Sequence, residues 1–104
     1  MRVSITVIKE ALAVASVALL LLLVGDLNSS RGSPPVELLG EYWAIPGKVG
    51  PPQTFPSGNP TSEIDYILYR PAERFEIVEY YVADVPIVSD HLPVVAELVI
   101  RPLP

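Results

Sequence analysis

The amino-acid sequence predicts an α/β domain with about four strands and two helices. The apolar run Leu19 to Val24 is typical of a strand that is covered on both faces. Apolar and polar residues from Glu63 to Tyr69 alternate as they do in a second strand. Ser33-Pro34-Pro35 before an apolar stretch is typical of a helix start. At 104 residues the chain is one domain or a part of one.

The residues before the first of these strands allow two interpretations. Ala11 to Val24 is apolar and follows basic residues, as in a signal peptide or membrane anchor. As a helix it would span about 21 Å, less than the ~30 Å hydrocarbon core of a bilayer. We favour a helix over about Ile8 to Ala18 followed by the strand Leu19 to Val24, because cleavage here would sever the strand that positions Asp26. Residues 1–18 are thus a helix or an anchor-like segment, and a membrane contact through Ala11 to Val24 is not favoured.

The middle of the chain begins with a short helix and continues as a long loop. Ser33 is expected to cap the helix, and Gly40 suits its end. Tyr42 and Trp43 are expected to pack this helix onto the sheet, with substrate stacking as the alternative for Trp43. The segment from Ile45 to Ser62 is rich in proline and glycine and lacks periodicity. Long loops of this kind in compact domains are often functional.

Three strands are predicted in the C-terminal part of the chain. In Glu63 to Tyr69, one face carries Ile64, Tyr66 and Leu68, and the other carries Asp65, Ile67 and Tyr69. Because burying an unpaired carboxylate is costly, Asp65 needs a partner. Phe75 to Val82 is rich in aromatic and β-branched residues, and Val94 to Ile100 is an apolar run after Pro93.

Composition limits the classes of function. The formal net charge of −5 argues against a broad basic surface that grips a nucleic-acid backbone. It does not exclude a nucleic-acid substrate, since a bound metal can reverse the local sign of charge. The chain has no cysteine, so disulfides and thiolate metal sites are excluded and the redox compartment cannot be inferred.

Four motifs carry the candidate chemistry, and one of them holds His91, the only histidine of the chain. In chain order they are Gly25-Asp26-Leu27-Asn28-Ser29, Thr54-Phe55-Pro56-Ser57, Glu63-Ile64-Asp65-Tyr66-Ile67-Leu68 and Ser89-Asp90-His91-Leu92-Pro93-Val94. In this order they resemble the endonuclease/exonuclease/phosphatase family of metal-dependent phosphohydrolases. The resemblance covers roughly residues 19–100 and corresponds to the C-terminal portion of the family domain.

The resemblance implies a fold, a cofactor and a role for five residues. The fold would be part of a layered α/β sandwich of the deoxyribonuclease type, and the cofactor Mg²⁺ or Mn²⁺. Asp26 would orient or deprotonate the attacking water near the metal, and Asn28 would donate to the scissile phosphate. Asp65 would hold His91, the catalytic histidine, in one tautomer. Asp90 would be the carboxylate nearest the metal.

Each of these residues also has a purely structural interpretation. Asp26-Leu27-Asn28 could satisfy backbone groups in the turn after a strand. Asp65 could form a salt bridge with Arg70 or Arg74. Asp90 could be a turn residue.

Two functions follow from these observations. The first is a metal-dependent phosphoester hydrolase, and the second is an inactive, membrane-tethered or secreted remnant of the family fold. The family's N-terminal half supplies an Asn and a Glu for the principal metal, and nothing before Asp26 matches them. We therefore expect an incomplete or truncated chain that is inactive alone and folds poorly, with Leu19 to Val24 and Val94 to Ile100 uncovered. A small or lipid phosphodiester is preferred over duplex DNA, and the localisation is left open between cytoplasmic, secreted and membrane-associated.

Overall fold

The computed structural model describes residues 1–8, 12–17 and 20–102, and for residues 12–17 it describes the backbone alone. Strands dominate the described residues. In chain order the elements are β1 (Arg2–Val7), β2 (Leu12–Val17), β3 (Leu20–Asp26), helix α1 (Pro34–Leu39), β4 (Asp65–Arg70), a short 3-10 helix (Ala72–Arg74), β5 (Phe75–Val82) and β6 (Val94–Ile100).

The strands form two three-stranded antiparallel sheets. One sheet has the order β1-β6-β5 and the other the order β2-β3-β4. A register shift between Ile77 and Glu79 interrupts the β5–β6 ladder at Val78. Such a bulge leaves one residue without a partner in the ladder. Here it is Val78, which is exposed on the edge strand β5.

The main hydrophobic core joins the two sheets. The first sheet contributes buried residues from all three of its strands, and the second contributes Leu20 and Ile67. A hydrogen bond crosses this core, because the backbone N–H of Ile67 donates to the Tyr80 hydroxyl oxygen at 2.9 Å. The bond satisfies a buried amide that would otherwise be left without a partner. Burial raises the pKa of Tyr80 above its ordinary value. The phenol therefore stays neutral and can accept this bond.

A second, smaller core lies between α1 and the sheet that contains β3 and β4. Leu23, Val36, Tyr66 and Leu68 are buried in it, and Trp43 packs against them. The alternation predicted for β4 is confirmed, since Tyr66 and Leu68 face this core whereas Ile67 faces the core between the sheets. The strand is buried on both faces because α1 covers one and the β1-β6-β5 sheet covers the other.

Two sequence predictions, a helix at the N-terminus and the packing of Tyr42 after α1, were wrong. Leu12–Val17 is strand β2, paired with β3, rather than part of a helix over about Ile8 to Ala18. The other positions of that predicted helix, apart from Ile8, lie outside the described residues. The predicted helix start and end are confirmed, with Ser33 at the N-cap and Gly40 at the C-cap of α1, although the Ser33 hydroxyl makes no capping bond. Tyr42 does not pack onto the sheet, because 61% of it is exposed.

The described residues are those of a compact, sheet-rich domain with little helix, which is consistent with part of an α/β family fold. Within them neither a second α-helix nor the full layered sandwich is shown. No helix among them is long and apolar enough to cross a membrane.

The strands predicted at Phe75 to Val82 and Val94 to Ile100 are confirmed residue for residue. The expectation that two apolar runs would lack a covering layer was wrong. Leu20 from one run shares the main core with Val94 and Leu98 from the other. The two sheets therefore cover each other on these faces.

Candidate functional site

Two carboxylates face each other across the end of a sheet. Strand β3 ends at Asp26 and β4 begins at Asp65, and the antiparallel register pairs these two residues directly. Gly25 has a φ of 125°, a conformation that residues with a side chain rarely adopt, at the position just before Asp26. Like charges directly opposite each other destabilise a sheet, so this pair needs groups that neutralise it.

The other sheet brings His91 to the same place. Strand β5 ends at Val82 opposite Val94, the first residue of β6, so the segment that precedes β6 leaves the sheet at this end. The backbone of the segment is fixed where the Leu92 N–H donates to the Thr54 carbonyl at 2.7 Å. The imidazole packs against Phe55, with 4.9 Å between the ring centroids. As a result His91 is buried, with 5% of its surface exposed.

The Asp65 carboxylate receives two short hydrogen bonds on one oxygen. His91 Nδ1 lies 2.7 Å from Asp65 Oδ2, and the Thr54 hydroxyl donates to the same oxygen at 2.6 Å. A carboxylate can only accept, so Nδ1 carries the shared proton and the Nε2 of a neutral ring is free to accept one. The predicted need of Asp65 for a partner is met by His91 and Thr54, and neither Arg70 nor Arg74 forms a salt bridge with it.

Asp26 completes a group of three potential metal ligands. Its Oδ2 atom lies 3.9 Å from His91 Nε2, and one ligand atom from each of Asp26, Asp65 and His91 falls within 4.8 Å of the others. Asp65 Oδ1 is buried and has no hydrogen-bond partner among the described residues. An orphaned carboxylate oxygen beside a second carboxylate suits a hard divalent cation such as Mg²⁺ or Mn²⁺. The donors present therefore fit the metal that the sequence predicts.

The turn after β3 combines a structural bond with an exposed amide. Asp26 Oδ1 accepts the backbone N–H of Asn28 at 2.7 Å, which is the turn role that the sequence left open. The other oxygen of Asp26 faces His91. Asn28 has a φ of 50°, a left-handed conformation in which Asn is enriched, and it is exposed to solvent.

Asp90 lies outside this group of three. It is exposed, its carbonyl accepts the Ser57 N–H at 2.8 Å, and its Oδ1 accepts the Ser89 hydroxyl at 3.2 Å. These bonds hold the segment before His91 against the loop that contains Thr54. They are the contacts expected of a turn residue, and the assignment of Asp90 to the metal stays a prediction.

A charged cluster of Glu63, Arg31 and Lys48 contacts the main chain of Asp65 through Lys48. The Glu63 carboxylate accepts a two-point contact from the Arg31 guanidinium, with both distances 3.0 Å, and a bond of 2.7 Å from Lys48 Nζ. Burial alone would raise the pKa of Glu63, but these hydrogen bonds outweigh it, so the pKa is lowered and the carboxylate stays ionised. Burial lowers the pKa of Lys48, and Glu63 opposes that shift.

Sequence reasoning missed Thr54 and this cluster as parts of the site. Thr54 falls in one of the four motifs, yet it received no role. The missed signal was that a buried carboxylate needs more than one donor. Glu63 lies two positions before Asp65 in an alternating strand pattern, so both carboxylates are expected on one face of the strand. A second carboxylate on that face indicates that cationic partners are needed.

Comparison with known proteins gives a match at the level of a family. The model of the Endonuclease/Exonuclease/phosphatase family matches residues 5–91. The chain belongs to this family. No curated protein and no solved structure matches it.

Membership in the Endonuclease/Exonuclease/phosphatase family confirms the resemblance derived from the four motifs. At the level of the family it indicates a metal-dependent phosphoester hydrolase. The matched range includes Asp26, Asp65 and His91, the three residues whose ligand atoms the fold brings together.

Proposed function

We propose that the site performs metal-assisted attack of water on the phosphorus of a phosphoester. The observation that carries this proposal is the contact of 2.7 Å between His91 Nδ1 and Asp65 Oδ2, with Asp26 on the opposite nitrogen at 3.9 Å. A histidine oriented by a buried carboxylate is a usual general acid or base. A second carboxylate beside it supplies an acceptor for a water proton or a ligand for a cation.

In this proposal Asp65 fixes the tautomer of His91. With the proton on Nδ1, Nε2 can accept a proton in the neutral ring or donate to a phosphate oxygen in the charged ring. The Phe55 ring and the Thr54 hydroxyl restrict motion of the pair. Fixing the pair before the substrate arrives reduces the reorganisation needed during the reaction.

Asp26 and Asn28 act in the turn after β3. The Oδ2 atom of Asp26 is directed to the space beside His91 Nε2, where it can orient the attacking water or take its proton. The exposed Asn28 amide can donate to a non-bridging oxygen of the scissile phosphate. The hydrogen bond from the Asn28 backbone N–H to Asp26 Oδ1 fixes the position of the Asn28 side chain relative to the Asp26 carboxylate.

Asp26 and Asp90 are the proposed contacts of a divalent cation, directly or through water, and the orphaned Oδ1 of Asp65 offers a further oxygen. When bound, Mg²⁺ or Mn²⁺ would polarise the phosphoryl group and stabilise the charge on the leaving oxygen.

The substrate proposed is a small or lipid phosphodiester. Two residues that line a pocket, Gln53 and Leu92, are chain neighbours of Thr54 and His91. The pocket is lined by Pro51, Gln53, Pro60, Val82, Asp84 and Leu92. Most of these side chains are apolar, and the chain has a net charge of −5. An apolar pocket suits the organic part of an ester, whereas duplex DNA requires a basic surface.

The first test of this function measures metal binding by the 104-residue chain. Mn²⁺ is paramagnetic, so its binding at the site should broaden the imidazole resonances of His91 in NMR spectra. The Asp26→Ala variant should lose this broadening, while Glu97→Gln, on the outer face of the other sheet, should keep it. A wild-type chain whose His91 resonances are unaffected by Mn²⁺ would show that Asp26, Asp65 and His91 do not hold the cation without the two further ligands that the family resemblance implies.

The second test measures turnover of a bis-aryl phosphodiester with Mg²⁺. The family resemblance places two further ligands, an Asn and a Glu, before Asp26, so the assay uses a form of the protein that supplies them. The His91→Ala variant should lower turnover by about 10²–10⁴-fold, the usual contribution of a general acid or base. Equal rates in the variant and the wild type would refute the proposed role of His91.

A further inference from the structure

Lys48 is a lysine whose side chain is fully buried, with 0% exposed. Its Nζ donates to Glu63 Oε2 at 2.7 Å and to the Asp65 carbonyl at 2.8 Å. The same ammonium lies 4.7 Å from the centroid of the Tyr66 ring and 5.5 Å from that of Tyr80. Burying an ammonium is expensive unless it is paired and hydrogen-bonded, and these contacts supply that pairing. A hydrophobic side chain would fill the same space without this cost, so the charge itself is expected to have a role.

Arg31 binds the same carboxylate and shares its Oε2 atom with Lys48. It approaches Glu63 through Nε and Nη2, and Nη2 also donates to the Pro46 carbonyl at 3.0 Å. A planar guanidinium that contacts both carboxylate oxygens fixes orientation as well as distance. Arg31, Glu63 and Lys48 are called the charged bridge below.

The charged bridge connects the three segments that carry the site. Arg31 follows the turn of Asp26 and Asn28, and Lys48 lies in the long loop that also carries Thr54. Glu63 lies two positions before Asp65, the first residue of β4. Tyr66 reinforces the connection, because its hydroxyl lies 2.8 Å from the Ser29 carbonyl and 2.9 Å from the Glu63 carbonyl.

This connection opposes a repulsion built into the site. Asp26 and Asp65 are direct cross-strand partners, and two carboxylates at such positions tend to separate. The Lys48 ammonium donates to the main-chain carbonyl of Asp65, so a positive charge lies beside this residue. The region is buried, and screening of that charge by water is weak.

We propose that Lys48 is a positioning residue that acts through the charged bridge to hold Asp65 and His91 in place relative to Asp26. The inference rests on the proposed function for its consequence, which is the metal and phosphoester chemistry at Asp26. The contacts of the charged bridge themselves bear only on how the His91–Asp65 hydrogen bond is maintained.

The test compares Lys48→Met with Val36→Ala in the 104-residue chain. Methionine replaces the aliphatic stem of Lys48 and leaves the Arg31–Glu63 pair intact. Val36 lies in the second core, which includes Tyr66 but none of the three charged residues, so its truncation lowers stability while leaving Arg31, Glu63 and Lys48 in place. Long-range proton–nitrogen NMR of the imidazole reports the tautomer of His91, and Mn²⁺ titration reports affinity.

In Lys48→Met we expect a mixed His91 tautomer and Mn²⁺ affinity lowered by about 10–100-fold, the usual effect of removing a group that orients metal ligands. In Val36→Ala both readouts should match the wild type within about twofold. Unchanged values in Lys48→Met, or equal changes in both variants, would overturn the proposal.

Arg31→Lys provides a second variant in case Lys48→Met does not fold. Arg31 is partly exposed, and lysine keeps its charge but loses the two-point contact. The same shift in tautomer, smaller in size, is expected, and a wild-type spectrum would refute the role of the bridge. A wild-type chain that binds no Mn²⁺ would count against a metal site formed by Asp26, Asp65 and His91 alone, but the tautomer still decides whether the bridge positions His91.

Discussion

His91 Nδ1 lies 2.7 Å from Asp65 Oδ2, although the two residues are 26 positions apart and belong to segments that enter different sheets. The contact is buried, with 1% of Asp65 and 5% of His91 exposed. In such surroundings an ion pair or charge-assisted bond is screened little by water, so its partners have few alternatives. The pair therefore ties the two sheets together at the end where Asp26 lies.

Replacing Asp65 by Asn should lower turnover strongly while leaving the fold intact. The amide can donate to Nδ1, which would favour the wrong imidazole tautomer. We expect a loss of about 10²–10⁴-fold in kcat. Unchanged turnover in this variant would remove Asp65 from the mechanism.

Replacing Thr54 by Val tests the second donor to Asp65. Valine has nearly the shape of threonine but lacks the hydroxyl that bonds Asp65 Oδ2 at 2.6 Å. The loss of this bond inside the protein should cost about 1–3 kcal/mol in the free energy of unfolding. Urea denaturation measures the change, and Thr54→Ser, which keeps the hydroxyl, serves as the matched control. If both variants unfold at the same urea concentration, the hydroxyl contributes little.

The strands were predictable where the sequence has a period or a clear boundary. Phe75 to Val82 is enriched in β-formers, and Val94 to Ile100 begins after a proline, so both were found with their observed bounds. Leu12–Val17 was missed because a continuous apolar run has no period that separates a buried strand from a helix. Only the pairing with β3 distinguishes them.

The candidate site was predictable in its residues but not in its arrangement. Asp26, Asp65 and His91 were identified from motifs, yet the direct pairing of Asp26 with Asp65 depends on the register of β3 and β4. The carboxylates Asp65 and Glu63 indicated that donors were needed, but Lys48 and Thr54 could not be identified as those donors, because both lie in a loop without periodicity. A loop's long-range contacts are set by the complete fold rather than by its local sequence.

The hydrogen bond between the two sheets can be tested with Tyr80→Phe. The substitution leaves the buried N–H of Ile67 without its acceptor, so we expect a loss of about 1–3 kcal/mol in the free energy of unfolding. Tyr81→Phe at the neighbouring, partly exposed position is the control and should change stability little. Equal stability of the Tyr80 variant and the control would show that the bond makes no net contribution.

The two proposed metal carboxylates should differ in their effect on Mg²⁺ binding. Asp26 belongs to the group whose ligand atoms lie within 4.8 Å of one another, whereas Asp90 is exposed and lies outside it. We therefore expect Asp26→Ala to lower Mg²⁺ affinity by at least about tenfold, and Asp90→Ala to lower it less, since a contact through water contributes less than a direct one. Isothermal titration of both variants measures this, and Mn²⁺ should follow the same order, since carboxylate oxygens suit both cations. Wild-type affinity in both variants would exclude both carboxylates as metal contacts. A larger loss of affinity in Asp90→Ala than in Asp26→Ala would indicate that the cation binds nearer Asp90, away from His91.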